Sequence, residues 1–267
     1  MSIEKILSIA GSDSGSGAGI QADIKTAQAF DVYCSTAITS LTSQNTIGIS
    51  DIYDIPANFV ISQIRDVLSD IGADIIKTGM LCNAEIISGL YEFLEGNYPE
   101  IPLVVDPIMI SSSGTKLISD DAISLIKTRL LKITNVITPN IPEAENFSNM
   151  KISSINDMRL AAQIIQKIGG DNLSVLITGG HLKSEIITDI LLSKGKFTSF
   201  EHKRIKSSNT HGTGCTFATS IACGLALGNS LEEAVKNSQR FIANAITTAP
   251  NIGRGNGALN HHKQLKG

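Results

Sequence analysis

The segment NTHGTGCTFATSIAC, residues 209–223, combines residue types that could support phosphoryl transfer. Gly212 and Gly214 stand where a long apolar helix is predicted to begin, and glycines there leave backbone N–H groups open to an anion. The helix dipole adds positive potential at the same place. Cys215 falls in the first turn, where this field is expected to lower the thiol pKa. The alternative is that the glycines only mark a helix start and Cys215 packs in the core.

A second group of residues carries oxygen atoms that suit Mg²⁺. Asn140 and Glu143 lie three positions apart in TPNIPEAE, so that one turn could present an amide oxygen and a carboxylate together. Asp106 follows a short apolar run and would add a third oxygen donor. The spacing of Asn140 and Glu143 also fits an ordinary helix N-terminus without any metal, and the pattern leaves both interpretations open.

A third group could bind a small heterocycle. The amide of Gln44 offers both a donor and an acceptor. Asp23 follows the glycine-rich loop of residues 11–19, and Met80 could lie against a flat ring, although methionine is more often core filler. The loop matches neither GxxxxGK[ST] nor GxGxxG, which disfavours a dinucleotide site and an NAD-dependent dehydrogenase.

Short apolar runs alternate with helical patterns and predict an α/β fold with a mostly parallel central sheet and helices on both faces. Strands are predicted at residues 5–10, 33–41, 74–78, 103–106, 136–138, 174–178, 187–192 and 197–204. Helices are predicted at residues 18–30, 56–71, 84–94, 120–130 and 155–168, with two more closing the chain. The polar segments follow the strands, so they should meet at one sheet edge. They are GSDSGSGAG, TSQNT, KTGML, DPIMISSSG, TPNIPEAE and TGGH.

The composition fits a single domain over residues 1–267, with 42% hydrophobic residues and a formal net charge of −3. Nucleic-acid and membrane partners are not expected, because basic residues are scattered and no apolar run approaches the roughly 18 to 20 residues of a membrane span. A cytoplasmic protein with four free cysteines is predicted. The basic cluster at residues 203–206 is interpreted as a solvated strand end, and His261 with His262 as a solvated pair.

In these motifs the chain resembles the hydroxymethylpyrimidine/phosphomethylpyrimidine kinases of thiamin biosynthesis, which belong to the ribokinase-like superfamily. The resemblance runs in order from AGSDSGSGAGIQADIKT through SQNT, KTGML, VDPIM, TPNIPEAE and ITGGH to NTHGTGCTFA and the tail NGALNHH. It therefore covers nearly the whole chain. The chain departs from the family pattern at two places. It has Ser16 where many relatives carry glycine, and its tail reads NGALNHH where relatives carry a sequence with glycine and proline.

The resemblance implies a role for each group of residues. It implies that residues 212–215 form an anion hole and that Cys215 takes the place of the aspartate base of sugar-kinase relatives. It implies binding of the aminopyrimidine by Gln44 and Mg²⁺ by Asn140 and Glu143, with Asp106 nearby. Further pocket positions are Asp23, Met80, Gly11 and Ala18, and nucleotide positions are Thr178, Gly180 and Thr213.

The implied activity is ATP-dependent phosphorylation of 4-amino-5-hydroxymethyl-2-methylpyrimidine and then of its monophosphate, by an enzyme that is often a homodimer. Two alternatives share these motifs. One is a pyridoxal or pyridoxine kinase of the same superfamily, and the other is a regulator that binds a vitamer without turnover.

Overall fold

The computed structural model describes residues 3–111 and 114–262, so Ser112 and Ser113 of DPIMISSSG lie outside the described residues. The strands are β1 (Lys5–Asp13), β2 (Tyr33–Gln44), β3 (Ile49–Asp54), β4 (Ile75–Thr78), β5 (Leu103–Val105), β6 (Val136–Ile137), β7 (Ser174–Ile177), β8 (Ile186–Ser193) and β9 (Lys196–Lys203). The helices are α1 (Gly19–Ala29), α2 (Ala57–Asp70), α3 (Ala84–Asn97), α4 (Asp120–Thr128), α5 (Ile141–Ser148), α6 (Ile155–Gly169), α7 (Thr213–Ala226) and α8 (Leu231–Thr247).

The strands form one sheet in the order β3-β2-β1-β4-β5-β6-β7-β8-β9. The central pairs from β2 to β7 are parallel. The antiparallel strand pairs lie at the two sides of the sheet, where β3 joins β2, and β8 and β9 follow β7. The mostly parallel sheet predicted from the sequence is therefore confirmed.

Helices cover both faces of this sheet, as predicted. Successive strand residues alternate between the faces: Leu7 and Val105 pack with α2 to α6, whereas Ile6 and Val104 pack with α1 and α7. Helices α7 and α8 also cover β7 to β9 through Phe217 and other apolar residues. Because both faces are buried, the central strands read as continuous apolar runs. None of the helices in the described residues combines the length and apolar character needed to cross a membrane.

Two elements were not predicted. The edge strand β3 has the polar sequence ISDIYD, and an edge strand open to solvent needs no apolar run. Helix α5 has only eight residues and carries a proline near its start. Strand β2 also extends to Gln44, so this residue lies at a strand end and not in the following loop.

The C-terminal tail packs against α7, which makes the interpretation of His261 as solvated wrong. The ring is 6% exposed, and its Nε2 lies 2.8 Å from the hydroxyl oxygen of Thr216. Burial, with added repulsion from the charge of Lys25, lowers the pKa of His261 to about 4. The folded protein therefore holds this side chain neutral.

We expect this histidine to make the protein sensitive to acid. The folded-state pKa of about 4 lies below the ordinary histidine pKa of 6.5, so the unfolded chain binds more protons between these values. The free energy of unfolding should then decrease as pH falls from about 6.5 to 4, and His261→Gln should flatten this slope. Urea unfolding of the wild-type protein and His261→Gln between pH 4 and about 6.5 measures this dependence, and equal slopes for the two proteins would contradict the prediction.

Candidate active site

One cavity of about 930 Å³ lies at the carboxyl edge of the parallel strands. It collects every site residue predicted from the sequence except Asp23. The residues that line it are Gly11, Ala18, Gln44, Met80, Asp106, Asn140, Glu143, Thr178, Gly180, Gly212, Thr213, Gly214 and Cys215. The expected convergence of the polar segments on one edge is therefore observed.

The start of α7 forms one wall of the cavity. Gly212 is the N-terminal cap residue with a φ of 85°, a left-handed conformation that favours glycine. A Cβ atom at this position would lie 1.9 Å from the carbonyl oxygen of Gly17, so the two loops touch backbone to backbone. No side chain within the described residues caps this helix. The N–H of Thr213 donates to the carbonyl oxygen of Thr210 at 3.2 Å, and the N–H groups of Gly214 and Cys215 face no capping side chain, so the helix start could bind an anion.

The predicted lowering of the Cys215 pKa is wrong for the ligand-free protein. Burial raises the pKa of this thiol to about 12, and the nearby carboxylates of Asp106 and Asp23 act in the same direction. The charge of Lys77 opposes them but does not outweigh them. The sulfur is buried and its thiolate form would not be hydrated, so desolvation outweighs the effect of the helix dipole on the pKa. Cys215 is a neutral thiol at the cavity wall.

Asp23 lies beneath the cavity and does not line it, which corrects its assignment to the pocket surface. Its carboxylate is fully buried and forms an ion pair with Lys77, whose Nζ lies 2.9 Å from Oδ2. The hydroxyls of Ser8 and Thr219 donate to the same carboxylate, at 2.5 and 2.6 Å. Asp23 therefore connects β1, β4 and α7 below the site.

Removing one partner of this pair should strongly destabilise the protein. Lys77→Met leaves the Asp23 carboxylate buried without its counter-ion, which costs about 3–5 kcal/mol in comparable pairs. The double variant Asp23→Asn with Lys77→Met should recover much of this loss. Urea unfolding measures both, and Lys116→Met is the control, since its pair with Asp120 is exposed and should contribute little. Equal effects of the two lysine substitutions would contradict the prediction.

The predicted metal residues are linked to each other at the start of α5. The Asn140 side chain accepts from the Glu143 N–H, and Glu143 Oε2 accepts from the Asn140 N–H, at 3.0 and 2.9 Å. This capping box is the alternative that the sequence left open. Within the described residues, no cluster of three or more His, Cys, Asp or Glu side chains is arranged to hold a metal ion.

Two carboxyl groups nevertheless meet at this place with raised pKa values. Burial raises the pKa of Glu143 to about 8, and repulsion from Asp106 contributes. Burial also raises the pKa of Asp106 to about 6. Asp106 Oδ2 has no hydrogen-bond partner among the described atoms. An oxygen atom with no partner, beside a second carboxyl group, fits a cation held jointly with phosphate and water.

The loop after β1 encloses the pair Asp13 and His211. The position of His211 in a glycine-rich turn was compatible with a cleft, whereas Asp13 was not assigned to the site. Asp13 Oδ2 lies 2.8 Å from His211 Nε2, and both residues line the cavity. The ring leaves no room for a side chain at Gly17, where a Cβ atom would lie 2.4 Å from His211 Cδ2.

Ser16 has a φ of 64°, which is the left-handed region that favours glycine. The departure of this chain from the glycine of many relatives therefore falls at a left-handed position.

The far end of the cavity follows β7, at Thr178 and Gly180. The N–H of Gly179 donates to the buried Asp189 carboxylate at 2.8 Å. Arg204 holds the same loop by donating to the carbonyl oxygens of Gly180, Leu182 and Ser184. Arg204 is thus a half-buried residue of the cavity rim, whereas Lys203 and Lys206 are exposed, as expected for a solvated strand end. Asp189 carried no signal in the sequence.

Comparison with known proteins gives consistent results. The family model described as phosphomethylpyrimidine kinase matches residues 13–260. The thiamine biosynthesis bifunctional protein ThiED of Geobacter sulfurreducens is 46% identical over 256 residues, which are 96% of this chain and 52% of that protein. The chain thus spans about half the length of this relative. The hydroxymethylpyrimidine/phosphomethylpyrimidine kinase of Bacillus subtilis is 41% identical over 262 residues, 98% of this chain and 96% of that protein.

Solved structures support the fold. An ADP complex of Bacillus subtilis pyridoxal kinase superimposes with a TM-score of 0.89 at 33% identity, over 97% of this chain and 98% of that chain. The fold is therefore ribokinase-like, as the resemblance implied. With the family match extending from β1 to the tail, the chain belongs to the phosphomethylpyrimidine kinase family and is a phosphotransferase.

Proposed function

We propose that the protein transfers the terminal phosphate of ATP to the hydroxymethyl group of 4-amino-5-hydroxymethyl-2-methylpyrimidine, and then to the resulting monophosphate, in thiamin biosynthesis. One observation carries this proposal: a single cavity places the amide of Gln44 together with the uncapped start of α7. The amide suits the aminopyrimidine edge and the helix start suits the migrating phosphate. The Bacillus subtilis relative is named for this kinase activity, and the Geobacter sulfurreducens relative is named for thiamine biosynthesis.

The remaining residues fit roles around these two ends. The amides of Gly212, Gly214 and Cys215 would stabilise charge on the transferred group, and Thr213 would lie beside the nucleotide phosphates. Asp106, Asn140 and Glu143 fit Mg²⁺ held partly through water, which would neutralise phosphate charge when bound. Thr178 and Gly180 would contact the nucleotide. Gly11, Ala18 and Met80 would enclose the pyrimidine, and Asp23 would support this arrangement from below.

Other features of the proposal concern the whole chain. We infer that residues 1–267 act as one domain, because one sheet runs through the described elements. A homodimer is proposed, and the exposed cross-strand pair Leu41 and Tyr53 offers an apolar contact surface. The cytoplasm is the proposed location, since four free cysteines and the use of ATP suit a reducing compartment.

A pyridoxal kinase is the second candidate, favoured by the structural similarity to the Bacillus subtilis enzyme. A coupled assay with ATP and Mg²⁺ separates the two. The pyrimidine alcohol, its monophosphate and pyridoxal are supplied in parallel, and the two pyrimidines should be turned over faster. Faster turnover of pyridoxal would favour the second candidate. Absence of ATP consumption with all three would favour a regulator that binds without turnover.

Replacement of Cys215 tests its role as proton acceptor. A base typically contributes ~10² to 10⁴ in rate, so Cys215→Ala should lower kcat within this range while KM for the pyrimidine changes less. Because the thiol carries its own proton in the ligand-free protein, it must first lose that proton to water before the sulfur can accept the proton of the hydroxymethyl group. Steady-state assays measure both constants. Near-normal kcat in the alanine variant would show that phosphoryl transfer proceeds here without the sulfur.

A further inference from the structure

The side-chain amide of Gln44 lies within a network of polar side chains that fixes both its position and the direction in which its oxygen and nitrogen point. One terminal atom of the amide, Nε2, lies 3.2 Å from His211 Nε2. The other, Oε1, lies 3.1 Å from the Thr42 hydroxyl oxygen. The oxygen and nitrogen of a carboxamide occupy nearly the same space, so the hydrogen-bonding partners decide which end carries the protons. Those partners can be determined here from Asp13 outwards.

Asp13 is held as a carboxylate by the turn that follows β1. Its two oxygens accept from the N–H groups of Gly15, Gly17 and Ala18, at 2.7, 3.0 and 2.8 Å. A carboxyl group that accepts several backbone N–H groups is stabilised in its charged form. Burial alone raises the pKa of Asp13, but the bonds from His211 and Ala18 outweigh it and lower the pKa overall.

The charge on Asp13 fixes the proton of His211. An ionised carboxylate only accepts, so His211 Nε2, at 2.8 Å, must donate to it. A ring nitrogen that carries a proton has no lone pair to accept with. It therefore cannot accept from an N–H of Gln44. The end of the Gln44 amide that faces His211 is therefore the oxygen, which can share the Nε2 proton with Asp13 at the longer distance of 3.2 Å.

The hydroxyl of Thr42 leads to the same arrangement independently. It has one proton and lies 2.9 Å from the carbonyl oxygen of Ser12, which can only accept. That proton is therefore used, and the hydroxyl can only accept from Gln44. The end of the amide that faces Thr42 must be the NH₂ group. Both ends of the network thus require the same direction of the amide.

We propose that Asp13, His211 and Thr42 are specificity-determining positioning residues, which fix the direction of the Gln44 amide and so decide the order in which donor and acceptor face the ligand. One amide N–H and one oxygen lone pair remain for the ligand. Together they match a ring nitrogen that accepts beside an exocyclic amine that donates. The inference rests on the proposed pyrimidine kinase function and assigns its ring selectivity to residues that act through the Gln44 amide.

The test uses two ligands with opposite patterns. In the 4-oxo counterpart of the aminopyrimidine alcohol, a ring N–H replaces the accepting nitrogen and a carbonyl replaces the amine. The wild-type protein should prefer the amino compound by about 10⁴ in kcat/KM, because the wrong ligand leaves buried polar groups unpaired. Asp13→Asn and Thr42→Val should each reduce this preference at least tenfold, since either change releases the amide to rotate.

Ser14→Ala is the matched control. The Ser14 hydroxyl donates to the main-chain carbonyl oxygen of Gln44 and accepts from its main-chain N–H, each at 2.8 Å. Neither bond involves the side-chain amide of Gln44. This variant should affect both ligands alike and keep the preference. Thermal unfolding checks each variant, and Thr42→Val, which preserves shape, decides the matter if Asp13→Asn does not fold.

The outcomes separate the inference from the proposed function. Calorimetric dissociation constants for the two ligands give the preference without turnover. If the wild-type protein binds the amino compound selectively but phosphorylates neither, the proposed activity is wrong and the network remains supported. If folded Asp13→Asn and Thr42→Val both keep the wild-type preference, Asp13, His211 and Thr42 do not control the amide and the inference is overturned.

Discussion

Substitution of Gly212 by alanine is expected to reduce turnover about 10³-fold or more, because it displaces all of the first-turn amides together. The new Cβ atom would lie 1.9 Å from the Gly17 carbonyl oxygen, which is backbone and cannot move aside alone. The left-handed conformation adds roughly 1–2 kcal/mol of strain for any other residue. Both the free energy of unfolding and the affinity for ATP should decrease. Unfolding curves and steady-state kinetics measure these effects.

Gly214→Ala is the matched control for this prediction. A Cβ atom at Gly214 would approach only Asp106, at 3.8 Å, which is an ordinary contact. The helix should form at least as well, since alanine is the better helix former. Turnover alone should decrease, because the methyl group projects toward the phosphate position. If Gly212→Ala instead behaves like Gly214→Ala in stability, the contact between the two loops has no structural importance.

Glu143→Gln is expected to change stability and activity in opposite directions. The folded pKa of Glu143 is about 8 and the ordinary glutamate pKa is 4.5, so the folded protein binds more protons between these values. The wild-type protein without Mg²⁺ should therefore lose stability as pH rises from about 4.5 to 8. The loss should reach a few kcal/mol, as one pKa unit corresponds to about 1.4 kcal/mol. The glutamine variant lacks this titration and should be the more stable protein at pH 8.

The same variant should need more Mg²⁺ for half-maximal rate, because a carboxylate ligand is lost. Glutamine can still accept the Asn140 N–H, so the capping box is preserved. Glu145→Gln is the control, since it removes the same charge from α5 at a side chain bonded to Lys151 and Ile152. An unchanged metal titration would reject the metal role of Glu143. An unchanged dependence of stability on pH would reject its protonation.

The sequence predicted the central strands and most helices because their signals are local. The strand Leu103–Val105 is wholly apolar, and the regular apolar spacing of α6 indicates a helix. Strand β3 was not predicted because it is defined by its pairing with Leu41 and neighbouring residues of β2, and not by apolar character. Helix α5 carried its signal in Asn140 and Glu143, whose spacing was interpreted equally as a metal motif.

The location of residues at the cavity was predictable where a motif carries its own geometry, as at Gly212 and Gln44. The failures concern properties set by distant residues. The pKa of Cys215 depends on burial and on Asp106, which is 109 positions away in the chain. Asp23 could not be separated from the pocket surface without locating Lys77. Asp13 and His211 are 198 positions apart, and only the fold brings them together.

The backbone contact between Gly17 and Gly212 has a consequence for how new activities could arise on this scaffold. One of these glycines belongs to the loop that surrounds His211, and the other begins the helix that would receive the phosphate. A sequence change that reshapes the first loop would also displace the start of α7, so substrate preference and catalytic rate would change together there. New vitamin preferences are more accessible through side chains such as Met80, which reach the cavity without touching that junction.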